Sequence, residues 1–210
     1  AVKAMGEGLG EKLFYLTART VTAQAARDAF AFLQKQGLRL KRVFLTAKEK
    51  ICPLEEPQCD PEHCPYARGH YDRVNEAVYT FLQNQDYGGR EELLDWAEQY
   101  QVCPFAFSLD VSSFADAVVG DYNYAFSPTA RLKRFFGEGM KGDYIFLIDE
   151  AHNLVDRSRE MFSAALCKED FLAMKKLAKP VSRKLERALE RCNRYLLERK
   201  REGEDYEVVR

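Results

Sequence analysis

"DYIFLIDEAHNLVD", residues 143–156, joins an apolar run, Tyr144 to Ile148, to two adjacent carboxylates, Asp149 and Glu150. A run of that length and composition suits a buried strand. Paired carboxylates at a strand terminus can hold a magnesium ion and activate a water; the bland alternative is a helix N-cap at Asp149 with a stabilising acid beside it. On a nucleotide that chemistry needs a glycine-rich loop ending in Gly-Lys-Ser/Thr, whose backbone amides cradle phosphates. No such loop occurs among the 210 residues. The glycine-rich stretch near the start, Gly6-Glu7-Gly8-Leu9-Gly10, runs into Glu11-Lys12 and then into a strand pattern. The chain opens at Ala1 without Met and stops at Glu207-Val208-Val209-Arg210, so we expect a segment of a longer protein.

With 46% hydrophobic and 31% charged residues the composition is that of a globular domain. No apolar run approaches the roughly 18 residues of a membrane span, and no membrane partner is expected. A formal charge of −1 gives no global attraction to nucleic acid. Phosphate binding would fall to local patches: Lys41-Arg42, Lys48 with Lys50, and Arg131 with Lys133-Arg134.

Residues 13–17 (LFYLT) and 43–46 (VFLT) are strand candidates, and the segment between them carries a helical stripe at Ala26, Phe30 and Leu33. Ala117 to Tyr122 and Tyr144 to Ile148 are two more strands. Continuously apolar strands alternating with helices predict an α/β fold with a parallel sheet covered on both faces. The segment from Lys48 to Asp116 interrupts this rhythm and holds four of the six cysteines, so it reads as an inserted small domain. Within it Tyr71, Val74, Val78 and Phe81 form a helical stripe, and a second helix follows Gly88-Gly89 with Glu91-Glu92 in its first turn. Residues 157–200 are helical in period, with Pro180 the one break and a stripe at Val181, Leu185, Leu189, Cys192 and Leu196. This predicts a helical C-terminal segment.

"KICPLEEPQCDPEHCPYARG" carries Cys52, Cys59 and Cys64, and Cys103 follows in "VCPFAF". Pro follows Cys52, Cys64 and Cys103, fixing the backbone beside the sulfur. Four thiolates can hold zinc or a [4Fe-4S] cluster; no C-x-x-C pair is present, and unligated thiols remain a third reading. His63 and His70 lie near enough to be ligands, although surface histidines are the simpler expectation, and Cys167 and Cys192 on helical stripes read as buried thiols.

Taken together, these stretches resemble the iron-sulfur DNA helicases of the XPD/DinG family. "FYLTARTVTAQ" (14–24) resembles that family's motif Ia, the segment from Cys52 to Cys103 its cluster domain, and "ADAVVGDYNYAFSP" with "YIFLIDEAHN" the later strands and Walker B motif of its first motor domain. The resemblance implies a partial RecA-like motor domain at 1–47 and 114–156, an iron-sulfur domain at 48–113 and the start of a helical arch at 157–210. It implies a phosphate loop upstream of Ala1 and further helicase domains as partners. Asp149 would hold Mg2+, Glu150 would deprotonate the water attacking ATP, and His152 would couple the nucleotide to the DNA site. Cys52, Cys59, Cys64 and Cys103 would ligate a [4Fe-4S] cluster. Thr17, Arg19 and Thr20 would contact single-stranded DNA through its phosphates, although Thr20 or Thr22 reads equally as a helix cap. Lys48 would reach DNA or offset thiolate charge, Phe105 and Tyr66 would stack on bases or pack the cluster, and Tyr122 and Tyr124 would be structural. The implied parent is an ATP-dependent, 5′–3′ helicase of repair or recombination in a bacterial cytoplasm or other intracellular compartment. The alternatives are a metal-stabilised DNA-binding or docking module without motor activity, and a nuclease-fused member of the same family.

Overall fold

The structure is a computed structural model and describes residues 1–18 and 23–202; Arg19, Thr20 and Thr22 lie outside the described residues. The elements in chain order are α1 (Val2–Gly6), β1 (Lys12–Thr17), α2 (Ala23–Lys35), β2 (Arg42–Phe44), α3 (Lys48–Ile51), α4 (His70–Asn84), β3 (Tyr87–Gly88) and α5 (Arg90–Gln99). There follow α6 (Pro104–Phe114), β4 (Ala117–Asp121), α7 (Asn123–Phe126), α8 (Lys133–Phe136), β5 (Tyr144–Ile148), a 3-10 turn (Ala151–Asn153), α9 (Leu154–Met161), α10 (Lys168–Ala178) and α11 (Arg183–Glu202). All paired strands are parallel, in the order β3-β2-β4-β1-β5. The α/β parallel sheet is thus as expected, with one strand more: the two-residue β3, too short to carry a pattern of its own, pairs with β2 through Arg42 and Val43.

Side chains along β1 alternate between two cores, as the period of a strand requires. Leu13 joins Phe44, Ala117 and Val119 under Ala23, Ala26 and Phe30 of α2. Phe14 and Leu16 face the other way, with Val43 and Val118, and there meet Val74, Val78 and Phe81 of α4, Leu93 of α5, and Phe107 and Val111 of α6. The second face of the sheet is therefore covered by the cysteine-bearing segment itself. Phe81 lies edge-on to Trp96 and Phe107, with centroids 5.5 and 5.6 Å away. This insertion shares one continuous core with the strands, because a central parallel sheet cannot leave an apolar face in water.

The buried stripe of α4 runs His70, Val74, Ala77, Val78, Phe81, while Tyr71 is 85% exposed. The expected stripe was thus one residue out of phase at its first position, where His70 replaces Tyr71.

Cationic side chains hold elements together at two places. Lys12, its ammonium pKa lowered by burial, donates to the carbonyls of Ser112 and Ala115 at the end of α6, where orphan carbonyls need donors. Lys41 donates to Leu82 O at 2.5 Å and pairs with Asp86, and Arg42 donates to Gln34 Oε1 at 2.5 Å and lies over the Tyr87 ring. The Lys41-Arg42 patch is thereby committed to internal partners.

Residues 1–161 form one compact unit and 162–210 another. In the second, α10 and α11 pair, Lys175 bonds Glu190, and Ala178 and Asn193 are buried. The predicted helical run is interrupted at residues 162–167 as well as near Pro180. Val181 and Leu185 are exposed, and so are Cys167 and Cys192, against the expectation of buried thiols. The face of α11 that turns inward is centred on Asn193, one position beyond Cys192, and a shift of one residue rotates a helical side chain by about 100°. Among the described residues no helix is long and apolar enough to cross a membrane.

Candidate functional site

Three features gather on the first unit. The first is the acidic turn. β5 pairs with β1, the Asp149 amide bonds Leu16 O at 2.9 Å, and Asp149 and Glu150 emerge at the carboxyl end of the sheet. The hydroxyl of fully buried Tyr122 donates to the Asp149 carbonyl, which makes Tyr122 a structural strut, and desolvation pushes its phenol pKa up. Glu150 has φ +49 and ψ +46, the left-handed region that costs a non-glycine residue energy. Its carbonyl accepts from the Asn153 amide at 2.9 Å and from Asn153 Nδ2 at 3.1 Å. The bend turns the Glu150 carboxylate outward, 54% exposed, with His152 Nδ1 3.3 Å from its Oε2. Glu150 and His152 are thus paired and exposed, next to half-buried Asp149.

The second feature is a groove of about 820 Å³ along the carboxyl ends of β1, β2 and β4. Arg27, Lys48, Lys50, Arg131, Lys133 and Arg134 line it, against only Glu49 and Asp121. Two of the three cationic patches seen in the sequence therefore converge here. Thr17 lines the groove, although the residue is only 3% exposed. Arg27 lies over the Phe44 ring; its Nη1 donates to Gln24 Oε1 at 3.5 Å, and its buried Nε has no hydrogen-bond partner among the described residues. A buried guanidinium nitrogen without a partner is costly and suits an anionic ligand. Gly120 lies on the groove wall against Tyr124; a Cβ there would stand 2.8 Å from the tyrosine ring. Burial pushes the Tyr124 phenol up to about 12.

The third feature is the cysteine pocket. Cys52, Cys59, Cys64 and Cys103 line one small cavity with Pro53, Pro57, Tyr66, Pro104 and Phe105. The Cys59 sulfur beside Lys48 raises its ammonium pKa. Burial pushes the Cys103 thiol up, partly offset by the amides of Ala106 and Phe105 at the start of α6. Such a thiol ionises when a cation replaces its proton. Among the described residues, the one set of three or more ligand atoms within 4.8 Å of one another is half-buried Asp60 with exposed Glu62 and His63. No three cysteine sulfurs are drawn to the spacing of a single tetrahedral zinc, where sulfurs about 2.3 Å from the ion stand roughly 4 Å apart. Four thiols on one cavity with a lysine beside them are a donor set suited to a thiolate-held metal group. Lys48 and Phe105 form part of both this cavity and the cationic groove.

The two histidines differ. His63 is exposed and bonded to Asp60 Oδ1 at 2.7 Å. His70, expected at the surface, is 5% exposed; its Nδ1 accepts the Cys103 amide at 3.2 Å, and burial holds its pKa below the usual range. The signal was present in the sequence, since His70 stands at i−4 and i−7 from Val74 and Ala77.

Comparison with known proteins follows the same lines. A family model described as DEAD_2 matches residues 31–171. The ATP-dependent DNA helicase CHL1 of Kluyveromyces lactis is 32% identical over 116 residues, 55% of this chain and 14% of that protein. A solved structure described as truncated XPD superposes with a TM-score of 0.55 at 22% identity, covering 94% of this chain and 58% of the other. An XPD helicase superposes at 0.54 and 20% identity, covering 90% and 33%. The two superpositions show a common fold, and this chain spans only part of each relative's length.

Proposed function

The chain belongs to the DEAD_2 family, and on that premise we propose that it is part of an ATP-dependent DNA helicase of the XPD/DinG type. Residues 1–47 and 114–156 belong to the first motor domain, 48–113 to an iron-sulfur domain and 157–210 to the start of an arch. The observation that carries this reading is the shared wall. Lys48 and Phe105 line both the four-cysteine pocket and a groove rich in cations at the carboxyl edge of a parallel sheet, beside the acidic turn. A groove whose cations outnumber its acids among the described residues, with Arg131 and Lys133 exposed, draws phosphates.

In this reading Asp149 would hold Mg2+ and Glu150 would orient and deprotonate the attacking water; the left-handed bend at Glu150 aims its carboxylate away from the sheet. His152 holds the Glu150 carboxylate in place. A [4Fe-4S] cluster on Cys52, Cys59, Cys64 and Cys103 would supply a rigid cross-link between two loops, the one joining α3 to α4 and the one joining α5 to α6. Lys48 offsets thiolate charge at Cys59 and at the same time faces the groove. Single-stranded DNA lies along Lys50, Arg131 and Lys133, and Thr17, Arg19 and Thr20 supply further phosphate contacts. The parent enzyme moves 5′ to 3′ and acts in repair or recombination, inside the cell. Because no Gly-Lys-Ser/Thr occurs in these residues, the chain alone does not turn over ATP.

Fluorescence anisotropy with labelled single strands tests the groove. Arg131 and Lys133 are exposed and lie on its wall. The double variant Arg131→Ala/Lys133→Ala is expected to weaken binding by a similar factor for every sequence, because phosphate contacts carry no base information. It should also lower the log-log salt slope by roughly 0.7 for each phosphate ion pair removed. Unchanged affinity and slope would contradict the groove. ATP turnover by this chain that Glu150→Gln abolishes would contradict its catalytic incompleteness.

A further inference from the structure

Building on the reading of the cysteine pocket as a ligand site, we infer that His70 is a positioning residue for Cys103, acting with Arg73 from the first turns of α4. Cys103 is the N-cap of α6, and its carbonyl accepts the Phe107 amide at 2.8 Å. Its own amide precedes the helix and has no partner within it. That donor is taken by Nδ1 of His70 at 3.2 Å. Since Nδ1 accepts, the neutral ring carries its proton on Nε2, which faces Asp110 Oδ2 at 4.0 Å. Asp110 is held in turn by Arg134 Nη1 at 3.0 Å, and Arg134 also donates to Leu109 O at 2.5 Å. A buried ring held at Nδ1, with Nε2 turned toward a carboxylate, is an orienting device of the kind that metal ligands require.

Arg73 stands three residues further along the same helix and ties the two cysteine turns to each other. Its Nε donates to Tyr100 O at 3.0 Å, and its Nη2 to Gln101 O at 2.5 Å and Arg68 O at 2.7 Å. Gln101, two residues before Cys103, has φ +52 and is held in that strained bend by the Arg73 contact. The Arg68 amide bonds Cys64 O at 3.1 Å, so one guanidinium spans the turn after Cys64 and the turn before Cys103. Gly69 makes room for it: φ is +67, and a Cβ there would stand 2.5 Å from Arg73 Nη1. Cys103 is far in sequence from the other three cysteines, and α4 is the element whose first turns bond the turn after Cys64 and the turn before Cys103. Its amino-terminal turns set where Cys103 stands before any group is bound.

Two variants separate this role from simple packing. His70→Phe keeps an aromatic ring and deletes the acceptor; His70→Asn returns an acceptor at the place of Nδ1. In the metal-free full chain, hydrogen exchange of the Cys103 amide should be protected in wild type and in His70→Asn. In His70→Phe it should be faster by about tenfold, the factor that loss of one buried hydrogen bond implies. In anaerobically prepared protein, His70→Phe should retain less iron per chain and bleach faster in air, with His70→Asn close to wild type. Identical exchange in all three proteins, or His70→Asn behaving as His70→Phe, would overturn the inference. A wild-type Cys103 amide that exchanges like an exposed one would do so even if His70→Phe failed to fold. A wild-type protein that takes up no iron yet shows the exchange pattern would overturn the cluster reading and leave the positioning role supported.

Discussion

In the acidic turn, Asp149, Glu150 and His152 stand within four residues of one another in sequence, and a single backbone bend disposes them. The cysteine pocket joins Cys52, Cys59 and Cys64 of one loop to Cys103, which stands beyond α4 and α5, and its walls stand on helices packed against the sheet. The turn is a local device, exposed and set by one strained residue at the end of an edge strand. The pocket is a tertiary device, and disturbance anywhere in the core beneath it should reach the sulfurs. Each function is therefore vulnerable in its own place: the turn through its own few atoms, the pocket through packing many residues away.

The largest expected effect follows from the shared core. Phe81 is 2% exposed, and its ring meets both Trp96 and Phe107. Phe81→Ala should destabilise the first unit by about 3–5 kcal/mol in chemical denaturation. It should also lower metal content, although no cysteine is touched. Full metal content in a protein so destabilised would erase the contrast, because the pocket would then be as local as the turn.

A smaller effect is expected from the strut beneath the turn. Tyr122→Phe leaves the Asp149 carbonyl without its donor in a buried site, a cost of about 1–2 kcal/mol. Metal content should stay at the wild-type level, since the change lies under the turn and not under the pocket. Loss of iron in this variant would show that the two devices are mechanically joined.

The smallest effect concerns strain. Glycine adopts φ near +50 freely, so Glu150→Gly should leave stability unchanged or raise it by up to about 1 kcal/mol, measured by denaturation. A marked loss of stability would mean that the Glu150 side chain holds the turn, and that the bend does not exist for the sake of the carboxylate.

What could be read from the sequence divides along the same line. β1, β2, β4 and β5 were legible because continuously apolar runs have few other uses, and the acidic turn was legible because its members are contiguous. The cysteines were visible as residues, whereas the arrangement that orients them was not. His70 passed for a surface histidine because the stripe of α4 was anchored on Tyr71, and a polar residue at a core position is recognised only once its partners, the Cys103 amide and Asp110, are known. The same limit applied to the cations. Lys41-Arg42 and Arg131 with Lys133 look alike as strings, yet Lys41 and Arg42 face the carbonyl, carboxylate and amide groups of their neighbours while Arg131 and Lys133 face an open groove. At Cys192 the reading failed by one residue, which on a helix exchanges the inner face for the outer.

Whether the four cysteines act together as the holder of an iron-sulfur group is decided most directly by elemental analysis of anaerobically purified protein. A brown protein is expected, with a broad absorbance near roughly 400 nm and about four irons per chain, the content of a four-thiolate cluster. Ser in place of Cys52, Cys59, Cys64 or Cys103 should each lower that content, while Ser at exposed Cys167 or Cys192 should leave it intact. Stoichiometric zinc without iron in protein prepared that way, or equal iron loss from all six substitutions, would show that these cysteines hold no such group.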